Sequence, residues 1–322
     1  VFPQCGEWYC PDYFTTVQIV SLLLIFGRVT LAIIILLLGL RMEKDFMRSI
    51  TTTIFIPMML CEIFNIYCEV VAYINLFTPT KEQYTWIKST YVEWTHSLLY
   101  VIYNYVHYNV LVMVIMLLYC CRLAYQGEGR INAFPLNTIC LVVQFIPFFL
   151  SVLYYVTDGT TEIALRILSI ASRVFLIICF IVINLQILSS FLLLCMELPY
   201  THANSNDVQV RDARSRLFWT LIYVISPYIA FIPFIVNSFA WLIALSGNPS
   251  DQTKMAQKIC MMVEFIFHFH RPLWMTVITL AFLPPYRRAF LLTVFCCGCC
   301  PKIELIPRKK VHTSIMYRYA DI

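Results

Sequence analysis

Residues 20–40 read VSLLLIFGRVTLAIIILLLGL, a run in which Arg28 is the single charged side chain. An α-helix crosses the hydrocarbon core of a bilayer, about 30 Å thick, with roughly 20 mostly apolar residues. A strand of a transmembrane barrel would alternate apolar and polar side chains, and this run does not alternate. The stretch therefore predicts a membrane-spanning helix.

The composition extends this prediction to the whole chain. Of the 322 residues, 60% are hydrophobic and 13% are charged, whereas about 25% are charged in an ordinary soluble domain. So few charges cannot cover a soluble protein of this size, and so many apolar residues exclude a disordered chain. The sequence therefore predicts an all-α membrane protein, a bundle of seven transmembrane helices at 17–40, 50–77, 95–119, 136–156, 167–196, 217–245 and 257–283.

The basic residues predict the orientation of the bundle, because lysine and arginine accumulate in cytoplasmic loops. Fifteen of the 23 basic residues lie on one side of the seven stretches, five lie on the other side and three lie within them. The side with fifteen includes the C-terminal tail. We therefore predict an extracellular N-terminal segment (1–16), a transmembrane domain (17–283) and a cytoplasmic tail (284–322). The basic residues are dispersed along one membrane face, which gives no indication of a nucleic-acid partner.

Two opposite charges lie about midway along the first and second predicted spans, Arg28 and Glu62. Charged groups at membrane depth are costly, and they usually face the bundle interior and pair. We therefore predict an Arg28–Glu62 ion pair. The sequence is equally consistent with a structural pair that fixes two neighbouring helices and with a functional one.

Further polar side chains recur at helical spacing in the outer halves of the spans. Two interpretations remain open: the side chains converge on an extracellular cavity for a small ligand, or they only hydrogen-bond the helices together. The candidate ligand-binding residues are Glu69, Tyr100, Asn104, His107, Arg173, Glu264 and His268. Prolines predict kinks in four of the spans, at Pro57, Pro147, Pro227, Pro233 and Pro272.

The 14 cysteines give two predictions. Cys5 and Cys10 lie in the predicted extracellular segment, where disulfides form, and we expect a bridge between them. A cluster after the seventh span favours S-palmitoylation, because it follows a basic amphipathic stretch, with unmodified thiols as the alternative. This cluster consists of Cys296, Cys297, Cys299 and Cys300. Its spacing is too tight for a zinc site and no second pair follows, so no metal site is predicted.

The sequence contains no motif that indicates an enzyme. There is no Gly-rich phosphate loop, no nucleophile elbow and no His pair at metal-ligand spacing. We therefore predict neither catalytic residues nor a cofactor.

The ends of two predicted spans carry a family resemblance. The seventh span closes as RPLWMTVITLAFLPPYRRAFLL (271–292), and its Pro-Pro-Tyr-Arg-Arg segment followed by an apolar run resembles the Pro-x-x-Tyr-Arg-Arg type of ending in nematode serpentine chemoreceptors. The third span ends MLLYCCRLAY (116–125). Arg122 in this segment resembles, by position, the arginine that ends the third helix of rhodopsin-like receptors. Here it follows Cys121 instead of an acidic residue.

This resemblance implies a divergent seven-transmembrane G-protein-coupled receptor. Its expected function is chemosensory, as in olfaction: an extracellular small-molecule ligand binds within the bundle, and a heterotrimeric G protein is activated. The resemblance also implies a short membrane-parallel helix at 286–295 in contact with membrane lipids, and a multi-pass plasma-membrane location such as the sensory cilium of neurons. The G-protein-coupling residues that it implies are Arg122, Arg214, Arg216, Tyr286, Arg287 and Arg288.

Two other classes of membrane protein remain alternatives. A ligand-gated channel or a small-molecule or ion transporter would use Glu62, Glu69 and Glu264 as an ion or proton path. A membrane adaptor would bind no ligand and would have a fully packed outer half.

Overall fold

The computed structural model describes residues 11–42, 45–77, 92–126, 136–157, 163–196, 207–246 and 251–295. Its secondary-structure elements are all α-helices, which confirms the predicted all-α class for this part of the chain. In chain order they are α1 (Pro11–Arg41), α2 (Phe46–Phe77), α3 (Val92–Gln126), α4 (Leu136–Val143), α5 (Phe145–Thr157), α6 (Ile163–Cys195), α7 (Asp207–Ser246), α8 (Asp251–Phe269), α9 (Arg271–Phe282) and α10 (Pro284–Phe295).

Five of these helices are long and apolar enough to cross a membrane. The spanning parts are Ile19–Arg41 in α1, Phe46–Val70 in α2, Ser97–Gln126 in α3, Ile167–Cys195 in α6 and Ala213–Ile243 in α7. The helices α9 and α10 add a sixth candidate if they are taken as one span with a bend of 91°. The described residues thus form a multi-pass helical protein with five candidate spans, or up to six.

The two remaining predicted spans are each divided into two helices. One break lies at Gln144, between α4 and α5, and the other at His270, between α8 and α9. Pro147 and Pro272 follow these breaks closely, and a proline has no N–H to donate to the carbonyl four residues earlier. The helices α2 and α7, which have prolines in their interior, remain continuous through Pro57, Pro227 and Pro233.

Helical hydrogen bonding nevertheless continues across both breaks. The N–H of Phe148 donates to the carbonyl of Gln144 at 3.3 Å, and the N–H of Trp274 donates to the carbonyl of His270 at 3.1 Å. Each pair of helices is therefore one interrupted helix. The apolar segment of the α4–α5 pair, Thr138–Leu153, is shorter than the five candidate spans.

The helix α3 lies at the centre of the bundle. In its most apolar window 72% of the residues are buried, compared with 28% in α1 and 17% in α6. The main core joins α3 to α1, α2, α7, α9 and α10, and it includes Met113, Leu117, Leu217, Tyr223 and Met275. The outer faces of α1 and α6 instead expose many leucine and isoleucine side chains, as expected for surfaces in contact with lipid.

Candidate functional site

Arg28 of α1 makes a buried ionic contact with α2. Its Nε lies 3.0 Å from Oε2 of Glu62, and the two residues are only 4% and 3% exposed. Its Nη1 donates a 2.8 Å hydrogen bond to the backbone carbonyl of Phe269, and its guanidinium lies 4.2 Å over the Phe269 ring. These contacts offset part of the cost of taking two charges out of water, while Nη2 of Arg28 is buried without a hydrogen-bond partner in the described part of the chain. One side chain thus joins α1, α2 and α8.

The helix break at His270 explains why the Phe269 carbonyl can accept this bond. In a regular helix that carbonyl would accept from the N–H of Leu273, which here donates to the carbonyl of His270 at 3.0 Å. A helix end leaves such carbonyls without intrahelical partners. The indole N–H of Trp274 satisfies a second carbonyl at the same end, that of Phe267, at 2.9 Å. Side chains therefore replace the backbone bonds that the break removes.

A second polar group lies between α3, α7, α8 and α9. The Nη2 of Arg271 lies 2.7 Å from Nδ1 of His107, and the imidazole packs 4.3 Å from the ring of Phe231. Glu264 lines the same cavity as His107 and Arg271. The cavity has a volume of about 10 Å³, which is room for about one water molecule. The three ionisable side chains therefore surround a site that is closed to a larger ligand in this conformation.

The candidate ligand-binding residues do not meet in one cavity of the described part of the chain. His107 and Glu264 line the small cavity. Tyr100 is exposed, and its ring lies 6.2 Å from that of Tyr155 on α5. Asn104 is buried and donates to the Tyr100 carbonyl at 3.0 Å.

Two further candidates lie in separate surroundings. Glu69 accepts a 3.3 Å hydrogen bond from the hydroxyl of Ser21 on α1. The guanidinium of Arg173 lies 4.2 Å over the ring of Trp241. The side chain of His268 lies outside the described side chains.

Sequence reasoning missed a polar network around the buried Asn109 of α3. Pro57 of α2 has no N–H to donate to the carbonyl of Thr53, four residues earlier, and Asn109 Nδ2 donates to that carbonyl at 2.9 Å. Gln144, at the break between α4 and α5, donates from Nε2 to Asn109 Oδ1 at 2.8 Å and accepts from the Tyr105 hydroxyl. The sequence feature that could have indicated this network is a proline in one span together with amide side chains in the neighbouring spans. Such side chains can donate to the backbone carbonyl that a proline leaves without a donor.

Arg122 joins the end of α3 to the end of α6. Its Nη1 donates to Oε1 of Gln186 at 2.6 Å and to Oγ of Ser189 at 2.7 Å. The preceding residue, Cys121, lies 3.3 Å from the hydroxyl oxygen of Thr220 on α7. Both partners of Arg122 are neutral, so separating α3 from α6 here leaves no buried carboxylate behind.

Arg214 and Arg216 attach the start of α7 to its neighbours. Arg216 Nη1 lies 3.4 Å from Oδ2 of Asp45, in the turn between α1 and α2, and Arg214 Nη2 donates to the carbonyl of Leu194 at 3.0 Å. Asp45 Oδ1 also accepts from the N–H of Phe46 at 2.7 Å, at the start of α2. Burial raises the pKa of the Asp45 carboxyl above its ordinary value, and the charge of Arg216 and the bond from Phe46 oppose that rise.

The helix α10 runs at 91° to α9 and packs against α1 and α7. Tyr286 is buried, and its hydroxyl oxygen lies 3.3 Å from the position that a Cβ on Gly39 would take. The guanidinium of Arg287 lies 5.2 Å from the ring centroid of Trp219, and Arg288 is exposed. A Cβ at this position would make a tight contact with the Tyr286 hydroxyl, so the apposition favours glycine on α1.

The predicted disulfide and acylation sites lie outside the described residues, at Cys5, Cys10, Cys296, Cys297, Cys299 and Cys300. The cysteines within the described ranges are free thiols. Among the side chains that the structure describes, no three His, Cys, Asp or Glu residues are grouped as a metal site would require.

The candidate site therefore consists of the buried polar groups around Arg28, Arg271 and Asn109 and a basic end formed by α3, α6, α7 and α10. Comparison of the chain with protein-family models, with curated proteins and with solved structures finds no match.

Proposed function

We propose that the chain is a seven-transmembrane chemoreceptor that signals through a heterotrimeric G protein. The observation that carries this proposal is the set of arginine contacts at one end of the bundle. These contacts bear on the number of crossings, on the orientation and on the surface available to a cytoplasmic partner.

The contact of Arg122 with Gln186 and Ser189 supports a crossing by α4 and α5. It brings the C-terminal ends of α3 and α6 to the same face. Because α6 is itself a candidate span, it begins at the opposite face, and the chain between α3 and α6 has to cross once. The helical segment available there is 136–157, about 33 Å long as a helix, and its apolar part, Thr138–Leu153, covers about 24 Å of the hydrocarbon core, which is about 30 Å thick.

The same argument supports a crossing by α8 and α9. The contact of Arg216 with Asp45 brings the start of α7 to the face of the α1–α2 turn, so α7 ends at the opposite face. Arg41 Nη1 donates to the hydroxyl of Thr293 at 3.1 Å, which brings α10 back to the first face. The segment between α7 and α10 therefore has to cross as well. Together with the five long helices this parity supports seven crossings, followed by α10 along the membrane surface.

The sign of the charge at this end supports a cytoplasmic assignment. Arg41, Arg122, Arg214, Arg216 and Arg287 all belong to it, and basic residues favour the cytoplasmic side. If this end is cytoplasmic, the helix α10 is also cytoplasmic. Because the number of crossings before α10 is odd, the N-terminus is then extracellular.

In the proposed mechanism, arginine side chains at this end give up their contacts with neighbouring helices and contact the G protein instead. Arg122 adjoins a groove of about 380 Å³ against α6, and its hydrogen bonds go to neutral side chains. A ligand in the outer half favours a conformer in which the cytoplasmic end of α7 has moved away from Asp45 and from the end of α6. The released arginines and α10 then form the surface that the G protein binds.

Nucleotide exchange with purified components tests the proposal. The chain is reconstituted in lipid nanodiscs with heterotrimeric G proteins of each class, and GTP-analogue uptake is measured with a ligand library and without ligand. Arg122→Ala should reduce exchange about tenfold or more, the effect of losing charge-assisted contacts. Lys254→Ala removes an exposed basic side chain at the opposite end of the bundle; it is the control and should leave exchange unchanged. Absence of exchange on every G-protein class would refute the proposal.

The channel or transporter alternative lacks a comparable supporting contact. Glu62 is bound by Arg28, Glu69 accepts from Ser21, and Glu264 lines a different cavity. These carboxylates do not line a common path in the described residues. Ligand-dependent currents in cells that express the chain alone would favour this alternative over the receptor.

A further inference from the structure

The contact between Arg271 of α9 and His107 of α3 determines the protonation state of the histidine. A guanidinium group has only N–H donors and no acceptor. Its Nη2 lies 2.7 Å from Nδ1 of His107, in a buried position, so Nδ1 has to accept the hydrogen bond through its lone pair. The imidazole is therefore neutral in this conformation and carries its proton on Nε2.

A proton on Nδ1 would abolish this contact. It would occupy the lone pair that accepts from Arg271, and it would place two positive charges side by side, which is costly where the dielectric constant is low. The ordinary titration range of histidine includes physiological pH. The contact between α3 and α9 is therefore one that mild acid can remove.

Charged groups of three other helices act on this pair. Glu264 of α8 lines the same cavity as His107, and the charges of Arg271 and of Arg173 on α6 both act on it. Glu62 of α2, the partner of Arg28, acts on Arg271 as well. Among the residues that line the cavity, Glu264 is the carboxylate that a protonated His107 can bind.

The remaining groups near the pair are neutral at physiological pH. The Cys61 thiol and the Tyr103 hydroxyl lie near Arg271, and groups of these types ordinarily titrate above that range. Phe231 and Phe234 of α7 pack against the imidazole, and the sequence 225–245 around them contains no charged residue. Of the nearby ionisable groups, His107 is thus the one whose proton uptake directly breaks the contact.

The pair lies next to the helix break at His270. Arg271 is the first residue of α9, and its contact with His107 holds the start of α9 against the central helix α3. Trp274 of α9 lines the same cavity and bonds across the break to the carbonyl of Phe267. Loss of the His107 contact therefore releases α9 at the point where the helix is interrupted.

We propose that His107 is a proton-binding site through which acid separates the start of α9 from α3. One proton from solvent binds Nδ1, the imidazole becomes a cation, and its partner changes from Arg271 to Glu264. A conformer with a displaced α9 then gains population as the pH falls. This inference goes beyond the proposed receptor function and does not depend on it, so it is measured without a ligand or a G protein.

Thermal unfolding of the full chain in lipid nanodiscs, measured between neutral and mildly acidic pH, tests the proposal. The folded state keeps His107 unprotonated, whereas the unfolded chain takes up a proton at this residue below about pH 6.5. This contribution to stability is therefore complete above that pH and is lost as the pH falls, with a folding equilibrium constant that decreases by up to about tenfold per pH unit. His107→Gln keeps an oxygen acceptor for Arg271 but takes up no proton, so this part of the pH dependence should disappear.

Two other histidines provide matched controls. His270 is exposed at the helix break, and His268 is on α8, with its side chain outside the described side chains. His270→Gln and His268→Gln should each keep the pH dependence of the unsubstituted chain. Glu264→Gln should keep it as well, because the carboxylate is not the group whose proton uptake breaks the contact.

Nitrogen-15 NMR of the histidine ring gives a second measurement, which does not require a folded His107 variant. In a chain whose five other histidines are replaced by glutamine, the ring of His107 should show an unprotonated Nδ1 and a protonated Nε2 at neutral pH. Both nitrogens should be protonated after acidification.

Three results would overturn the proposal. The first is a protonated Nδ1 of His107 at neutral pH. The second is an undiminished pH dependence of unfolding in a folded His107→Gln protein. The third is loss of the pH dependence in His268→Gln or in Glu264→Gln, which would place the decisive proton on another group.

Discussion

At the scale of single residues, Arg28 makes three favourable contacts, one with Glu62 of α2 and two with Phe269 of α8. The Glu62 carboxylate neutralises its charge, the Phe269 carbonyl accepts one N–H, and the Phe269 ring covers its face. Removing the arginine leaves a buried carboxylate and a buried carbonyl, whereas removing Glu62 leaves a buried cation and takes a hydrogen-bond partner from Asn65. The two single substitutions therefore leave different buried groups without a partner.

We predict that Arg28→Met or Glu62→Leu alone lowers stability by about 3–5 kcal/mol, because each leaves an uncompensated buried charge. The double substitution should cost clearly less than the sum, since two apolar side chains replace the pair. A residual cost remains for the Phe269 carbonyl, which has lost its donor. Thermal unfolding in nanodiscs measures all three variants.

The control for this cycle is an exposed ion pair in the same protein. Lys254 Nζ lies 3.6 Å from Oδ1 of Asp251, and both side chains are exposed. Exposed pairs contribute little to stability, so Lys254→Ala should leave the unfolding temperature unchanged. Additive costs of Arg28→Met and Glu62→Leu would show that the two residues do not interact.

At the scale of helices, Asn109 of α3 supplies the donor that Pro57 of α2 cannot give to the Thr53 carbonyl. Asn109→Leu removes that donor and should cost about 1–3 kcal/mol, the penalty for leaving buried polar groups unsatisfied. In a Pro57→Ala background the N–H of residue 57 becomes available to the Thr53 carbonyl. The cost of Asn109→Leu should therefore shrink in that background.

Asn65 provides the control for this comparison. Its side chain bonds to the Tyr103 hydroxyl and not to a carbonyl freed by proline. Asn65→Leu should cost the same with Pro57 and with Pro57→Ala, as measured by thermal unfolding. An equal cost of Asn109→Leu in both backgrounds would contradict the capping role of Asn109.

A second prediction at this scale concerns the attachment of α10 to α1. A Cβ on Gly39 would lie 3.3 Å from the Tyr286 hydroxyl oxygen, whereas one on Gly27 of the same helix would have nothing within 4 Å. Gly39→Ile should therefore displace Tyr286 and cost about 1–3 kcal/mol by overpacking. Gly27→Ile should cost nothing by this mechanism.

Hydrogen exchange of the amides in α10 measures this displacement. Exchange in α10 should accelerate in Gly39→Ile and stay unchanged in Gly27→Ile. Gly39→Ala should have a small effect, because the gain in helix propensity opposes the tight contact. Unchanged exchange in Gly39→Ile would mean that Tyr286 does not anchor α10.

The helices and one ion pair could be predicted from the sequence, whereas the arrangement of most polar residues could not. Apolar runs predict spans because the bilayer requires them, and Arg28 and Glu62 could be paired because both lie at middle depth. The face that each helix turns inward could not be predicted, since lipid and protein interior are similarly apolar. For this reason the grouping of His107 with Glu264, and the separate surroundings of Glu69 and Arg173, became visible only in the structure.

At the scale of the whole molecule, an arrangement with five crossings and one with seven crossings place two connecting segments on opposite sides of the membrane. If α4–α5 and α8–α9 cross, 158–162 is extracellular and 197–206 is cytoplasmic. If neither crosses, the two segments exchange sides. The second arrangement puts Arg211, Arg214 and Arg216 outside, against the tendency of basic residues to stay in the cytoplasm.

Glycosylation mapping separates the two arrangements. The sequence contains no N-x-[ST] acceptor with a residue other than proline in the middle, so an inserted acceptor is read without background. With seven crossings, an acceptor on a flexible linker should be modified in 158–162 and in 247–250, and it should stay unmodified in 197–206 and after residue 322. An acceptor at the N-terminus is the positive control, since it is extracellular in both arrangements. Modification in 197–206 together with none in 158–162 would exclude the crossing by α4 and α5. That outcome would also remove the basis on which Arg122, Arg214 and Arg216 form one cytoplasmic surface.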